Sequence, residues 1–163
     1  MSILRRWWVK ALVQGVLARS PKSASLNHLF QRRGTNSLNL TAPYFARFLE
    51  GCSRPIQDYR RFGQSPKKRF SVLEIGTGRF PILPVSLFLC GADIVRTYDK
   101  TSLLRPEYIN RVLELTRDFA SSGSLTEALP EVLPERVAQF LDLMQTPAAI
   151  DPQQVLHKMN IKV

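Results

Sequence analysis

Phe70-Ser71-Val72-Leu73-Glu74-Ile75-Gly76-Thr77-Gly78-Arg79-Phe80-Pro81 is the most informative run in this 163-residue chain. Its first seven residues form a short apolar run that ends in glycine, the signature of a buried parallel strand. Gly76 and Gly78 then allow a sharp strand-to-helix turn, because Cβ atoms there would crowd the turn and keep a ligand off the backbone. Pro81 to Gly91 (PILPVSLFLCG) predicts an apolar helix, with proline in its first turn and glycine as its stop. Asp93 to Tyr98 predicts a second strand through Ile94, Val95 and Thr97. These pieces make a strand–loop–helix–strand unit of βαβ size. Asp99 closes the second strand, 23 residues beyond Gly76.

Downstream, Pro106 to Ser121 predicts an amphipathic helix carrying Tyr108, Ile109, Val112, Leu115 and Phe119. A further helix is expected from Pro134 to Met144, and a last one capped by Asp151 with Pro152 at its first position. Ile161-Lys162-Val163 reads as the opening of a third strand. Upstream, Thr41 caps a helix through Phe45, Phe48 and Leu49. Gly51 to Lys68, punctuated by Pro55, Gly63 and Pro66, reads as an irregular basic linker. A short helix is expected over 25–33. Met1–Ala18 is apolar almost all round a helical wheel, which predicts a helix buried against something in preference to a weak interfacial one. The expected organisation is thus a basic helical front segment and linker, 1–68, followed by an α/β segment, 69–163.

Charge follows the same division. Residues 1–72 hold fourteen lysines and arginines against Glu50 and Asp58, and residues 73–163 carry a balance of −2. Such a basic front favours phosphate-rich partners or anionic surfaces, or forms a solvated face. The lack of acidic residues before Glu50 is shared with organelle transit peptides. No run of 18 apolar residues exists, so no membrane span is expected. Cys52 and Cys90 stand far apart, without the spacing of a disulfide framework or a zinc site. A reducing compartment such as cytoplasm fits them, and no metal site is read.

The chemistry lies in the glycine turn. The helix after it presents a positive dipole end, and an acidic residue about 20 residues beyond the first glycine can accept hydrogen bonds from both hydroxyls of an adenosine ribose. The dinucleotide fingerprint places a third glycine at position 81; this chain has Pro81, so a nicotinamide- or flavin-dependent oxidoreductase is the least favoured reading. The pattern Glu74-x-Gly76-x-Gly78, with Asp99 ending the next strand, resembles the first motif of class I S-adenosylmethionine-dependent methyltransferases. Phe80 replaces the usual third glycine of that motif. With Cys90-Gly91-Ala92-Asp93 and Tyr98-Asp99, the run is similar to a bacterial branch of these enzymes whose loop reads GTG-x-x-P and whose helix ends in Gly-Ala. The resemblance covers residues 70–104.

It implies the N-terminal part of a Rossmann-like class I methyltransferase sheet: the first two to three parallel strands with their helices. It also implies S-adenosylmethionine as cofactor. Gly76, Thr77 and Gly78 would lie against its methionine part, Glu74 would organise the loop and the amino group, and Asp99 would hold the ribose. Lys100 or Thr101 would approach the adenine edge. Gln31 and Arg33 are candidates to line the cleft, though a surface helix edge is the preferred reading of both, and His28 reads as a packed or exposed histidine. No catalytic residue is assigned, because transfer from an activated sulfonium rests on positioning.

The family's sheet has seven strands, so the resemblance also implies a fragment, a truncated product or half of a split assembly, inactive alone. The first strand, unpaired on its outer side, offers an edge for self-association. A small molecule or glycan is the favoured acceptor. RNA docked by the basic front, and a noncatalytic association module, are the alternatives.

Overall fold

The computed structural model describes residues 8, 11–12, 15–16, 19, 39–62, 70–100, 103–145 and 151–163. The chain divides into two compact units, Met1–Thr41 and Ala42–Val163. In the first, Trp8, Ala11, Leu12, Gly15 and Val16 are helical, and all are exposed. The expectation of a buried helix therefore does not hold at these positions. The expected short helix over 25–33 lies outside the described residues.

The second unit is α/β. Its elements in order are α1 (Ala42–Phe62), β1 (Phe70–Ile75), α2 (Ile82–Leu89), β2 (Ala92–Tyr98), α3 (Pro106–Ser122), α4 (Ser124–Ala128), α5 (Pro134–Gln145), α6 (Pro152–Lys158) and β3 (Ile161–Lys162). The strands form one parallel sheet in the order β1-β2-β3. Val72 opposes Val95, Glu74 opposes Thr97 and Ile75 opposes Tyr98, so the carboxyl ends of β1 and β2 finish side by side.

Local chemistry explains most of the boundaries. Asp151 caps α6 by accepting from the Gln153 amide at 3.1 Å, with proline next. Asn160 adopts φ 56° between α6 and β3, a conformation asparagine tolerates better than most residues, and its carbonyl accepts from Val95 of β2. Gly123 stops α3 at φ 83°. The central helix α2 is buried on nearly every side through Ile82, Val85, Leu87, Phe88 and Leu89, and it packs on β2, α1 and α5. Arg136 fastens α5 to this layer, 3.3 Å from Asp93 and stacked over the Phe88 ring.

The helix α1 corrects the expected linker of 51–68 over its first part: the helical course continues from Gly51 to Phe62, and 63–68 lie outside the described residues. Pro55 cannot donate to the Gly51 carbonyl, but Phe45, Leu49, Cys52, Ser53 and Ile56 keep one buried face on both sides of that break. Packing outweighs the local propensity. Phe45 meets Phe119 edge-on at 5.1 Å, and Tyr59 lies against Phe70 at 4.8 Å. Glu131, a buried carboxylate, accepts from the Ser53 hydroxyl at 2.8 Å and the Gln57 amide at 2.6 Å, while Arg60 reaches the Glu131 and Cys90 carbonyls. These bonds satisfy a group that would be costly to bury unpaired.

The sheet departs from expectation on one face. Val72 and Glu74 face the covered side, but Leu73 and Ile75 are 66% and 78% exposed, next to exposed Arg96 and Tyr98. Among the described residues, β1 pairs with β2 alone.

Candidate functional site

The site grows from the turn after β1. Gly76 and Gly78 adopt φ 87° and 72°, which L side chains rarely reach, so glycine at both positions answers a backbone need. An added Cβ would meet nothing within 4 Å at either one. The turn is therefore open above its backbone. The Gly76 amide donates to the Tyr98 carbonyl at 2.8 Å, which extends the β1–β2 ladder to the rim.

Two carboxylates organise the turn. Glu74 Oε2 accepts from the Thr77 hydroxyl at 2.7 Å, and Asp99 Oδ2 accepts from the Gly78 amide at 3.0 Å. The acid at the end of β2 thus holds the turn that follows β1. Burial pushes the Glu74 carboxyl above its ordinary range; the Thr77 hydroxyl opposes the shift, and the nearby Asp99 charge adds to it. Phe80, in place of a third glycine, packs edge-on against Tyr108 at 5.2 Å and anchors the far end of the loop to α3. The helix α2 begins two residues later, its positive end toward the turn.

Beside this turn lies a cavity of about 250 Å³ at the carboxyl ends of the strands. That is where ligands settle in open parallel α/β sheets. Thr77 and Gly78 form one wall, and Thr97, Tyr98 and Asp99 another. Leu103 and Leu104, before α3, and Val163, just past β3, supply an apolar side. The volume falls just below the ~300–1,000 Å³ of small-molecule pockets.

The structure thus brings Thr77, Gly78 and Asp99 together at the cavity, with Glu74 one hydrogen bond behind. Gly76 shapes the turn without lining the cavity, and Lys100 is exposed and outside the lining. Thr101, Gln31, Arg33 and His28 lie outside the described residues. Leu103, Leu104 and Val163 escape a sequence reading, because nothing in their local pattern marks residues so far apart in the chain as neighbours. His157 sits exposed on α6, away from the cavity lining. Among the described residues, no group of three His, Cys, Asp or Glu side chains is arranged to hold a metal.

The arrangement is an acceptor-rich end and an apolar end in one recess. A carboxylate with about four acceptor sites can hold a backbone amide and still receive hydroxyl donors. Asp99 therefore suits a vicinal diol, and Leu103, Leu104 and Val163 suit an aromatic face. Two acids beside the glycine turn favour a ligand that is cationic or neutral there over one that carries phosphate. No family model matches the chain, and no curated protein or solved structure matches it.

Proposed function

We propose that this α/β unit binds S-adenosylmethionine and serves a methyltransferase, as the cofactor-binding part of a Rossmann-like sheet. The observation that carries the reading is the Asp99 carboxylate, tied to the Gly78 amide at the mouth of a cavity with one apolar side. A nucleoside fits that pairing, with its ribose hydroxyls on Asp99 and its base toward Leu103, Leu104 and Val163. The second acid, Glu74, distinguishes this ligand from a dinucleotide. A pyrophosphate over the turn would lie close to two carboxylates, whereas a sulfonium and an ammonium gain from them. Pro81 supports the same preference, since it occupies the position of the dinucleotide fingerprint's third glycine.

The bound sulfonium supplies an already activated methyl group, so the chain's own task is to hold and orient. Thr77 keeps Glu74 turned toward the loop, and Gly78 keeps Asp99 in place. The edge-on contact of the Phe80 and Tyr108 rings limits movement of the loop against α3.

Calorimetric titration with S-adenosylmethionine, its demethylated product and a nicotinamide dinucleotide tests the reading. Binding of the first two but not the third is expected. Asp99→Ala removes a charged hydrogen-bonding group worth about 1.5–3 kcal/mol, a loss of roughly 10- to 150-fold in affinity. An absence of heat with either adenosyl ligand, or unchanged binding by Asp99→Ala, overturns the proposal.

A further inference from the structure

The first unit carries a feature that a nucleotide site does not explain. Trp8, Leu12 and Val16 follow one another at four-residue spacing and are 50%, 63% and 62% exposed. Residues so spaced share one helix face. Ala11 and Gly15, also helical and exposed, lie beside them without a polar group. Arg19, exposed one turn further on, ends the stripe, and its amide donates to the Val16 carbonyl at 3.2 Å. An exposed stripe of tryptophan, leucine and valine is an unusual surface to leave in water.

Charge identifies what would cover it. Residues 1–41, the first unit, contain seven lysines and arginines and no aspartate or glutamate. Two copies docking through such segments would bring like charges together. An RNA partner would neutralise the cations but leave Leu12 and Val16 without a stacking surface, since neither has a π-face. An anionic lipid surface satisfies both properties at once. The apolar face enters the headgroup boundary, tryptophan sits at the interface, and the cations remain near acidic headgroups.

We propose that the Trp8–Leu12–Val16 face docks this chain onto an anionic membrane surface, lying in the interface without spanning it. No described helix is long and apolar enough to cross a membrane.

Both tryptophans of the chain, Trp7 and Trp8, belong to this segment, so tryptophan emission, excited at a wavelength that tyrosine does not absorb, reports on it alone. The full chain is mixed with vesicles of phosphatidylcholine alone, or of phosphatidylcholine with phosphatidylglycerol, and followed by emission and co-sedimentation. A blue shift and sedimentation with the anionic vesicles only, weakened by added salt, are expected. The double variant Leu12→Ser/Val16→Ser changes exposed side chains only and should partition at least about tenfold less, with circular dichroism showing the fold retained. Four results overturn the proposal: no sedimentation with the anionic vesicles; undiminished partition of the double variant; a blue shift that appears with protein concentration in the absence of lipid; or a shift produced by an RNA oligonucleotide and not by vesicles.

Discussion

Alanine at each of the two turn glycines separates the backbone's needs from the ligand's. At φ 87° and 72°, both Gly76→Ala and Gly78→Ala force a β-carbon into a left-handed conformation, at about 1–2 kcal/mol. Removing glycine also stiffens the unfolded chain, which returns about 0.4–1 kcal/mol. No atom lies within 4 Å of either new Cβ, so no clash adds to the balance. Each variant should thus lose at most about 1.6 kcal/mol of folding stability by this difference, with a midpoint of about 0.8 kcal/mol. Their ligand responses should diverge. Gly78 lines the cavity and Gly76 does not. A methyl group at 78 occupies space that an adenosyl ligand needs, and overpacking of about 1–3 kcal/mol corresponds to a five- to 150-fold weaker Kd. Urea melts followed by circular dichroism give the stabilities, and calorimetry gives the affinities. If Gly78→Ala binds S-adenosylmethionine as tightly as the unaltered chain, or if Gly76→Ala loses as much affinity as Gly78→Ala, the ligand does not sit in this cavity as argued.

Glu74→Gln should show a pH-dependent effect. Burial raises the Glu74 pKa in the fold, so as pH rises the unfolded chain releases that proton first. Stability linked to Glu74 is therefore full below the carboxyl's ordinary range and falls as pH climbs through the folded value. The variant should gain on the unaltered chain between acid and neutral pH, and a stability difference that stays constant across urea melts over that range would refute the assignment. The two thiols should be inert in the fold. Burial pushes Cys52 up to about 11, and burial with the Glu131 charge pushes Cys90 up to about 12. At pH 8 only about a thousandth of a thiol at 11 is thiolate, so Ellman's reagent should label neither cysteine until denaturant is added. Rapid labelling of the native chain would show that these sites open.

The βαβ core was legible because its signals are local. An apolar run ending in glycine, a proline-started apolar helix and an alternating strand place β1, α2 and β2 within a residue or two of their true ends. Asp151–Pro152 likewise marks the start of α6 in two residues. The second half of α1 was hidden because Gly51 and Pro55 argue against a helix, while the buried face from Phe45 to Ile56 argues for one. Only tertiary packing decides between them. The short helix α4 passed unread, since five residues cannot display a period. Within the site, the acids and glycines announce themselves by type and spacing. The apolar wall of Leu103, Leu104 and Val163 exists only once β3 folds beside β2.

The bare side of the sheet has a practical consequence at the bench. Leu73, Ile75 and Tyr98 offer a greasy patch on a fully folded chain, on a strand pair whose β1 has no second partner among the described residues. Dyes such as ANS, which light up on apolar surface, should therefore glow before any heat is applied. A melting curve read from such a dye would start high and mimic a loosened protein. Far-ultraviolet ellipticity, which is blind to that patch, is the signal to trust for this chain's thermal transition.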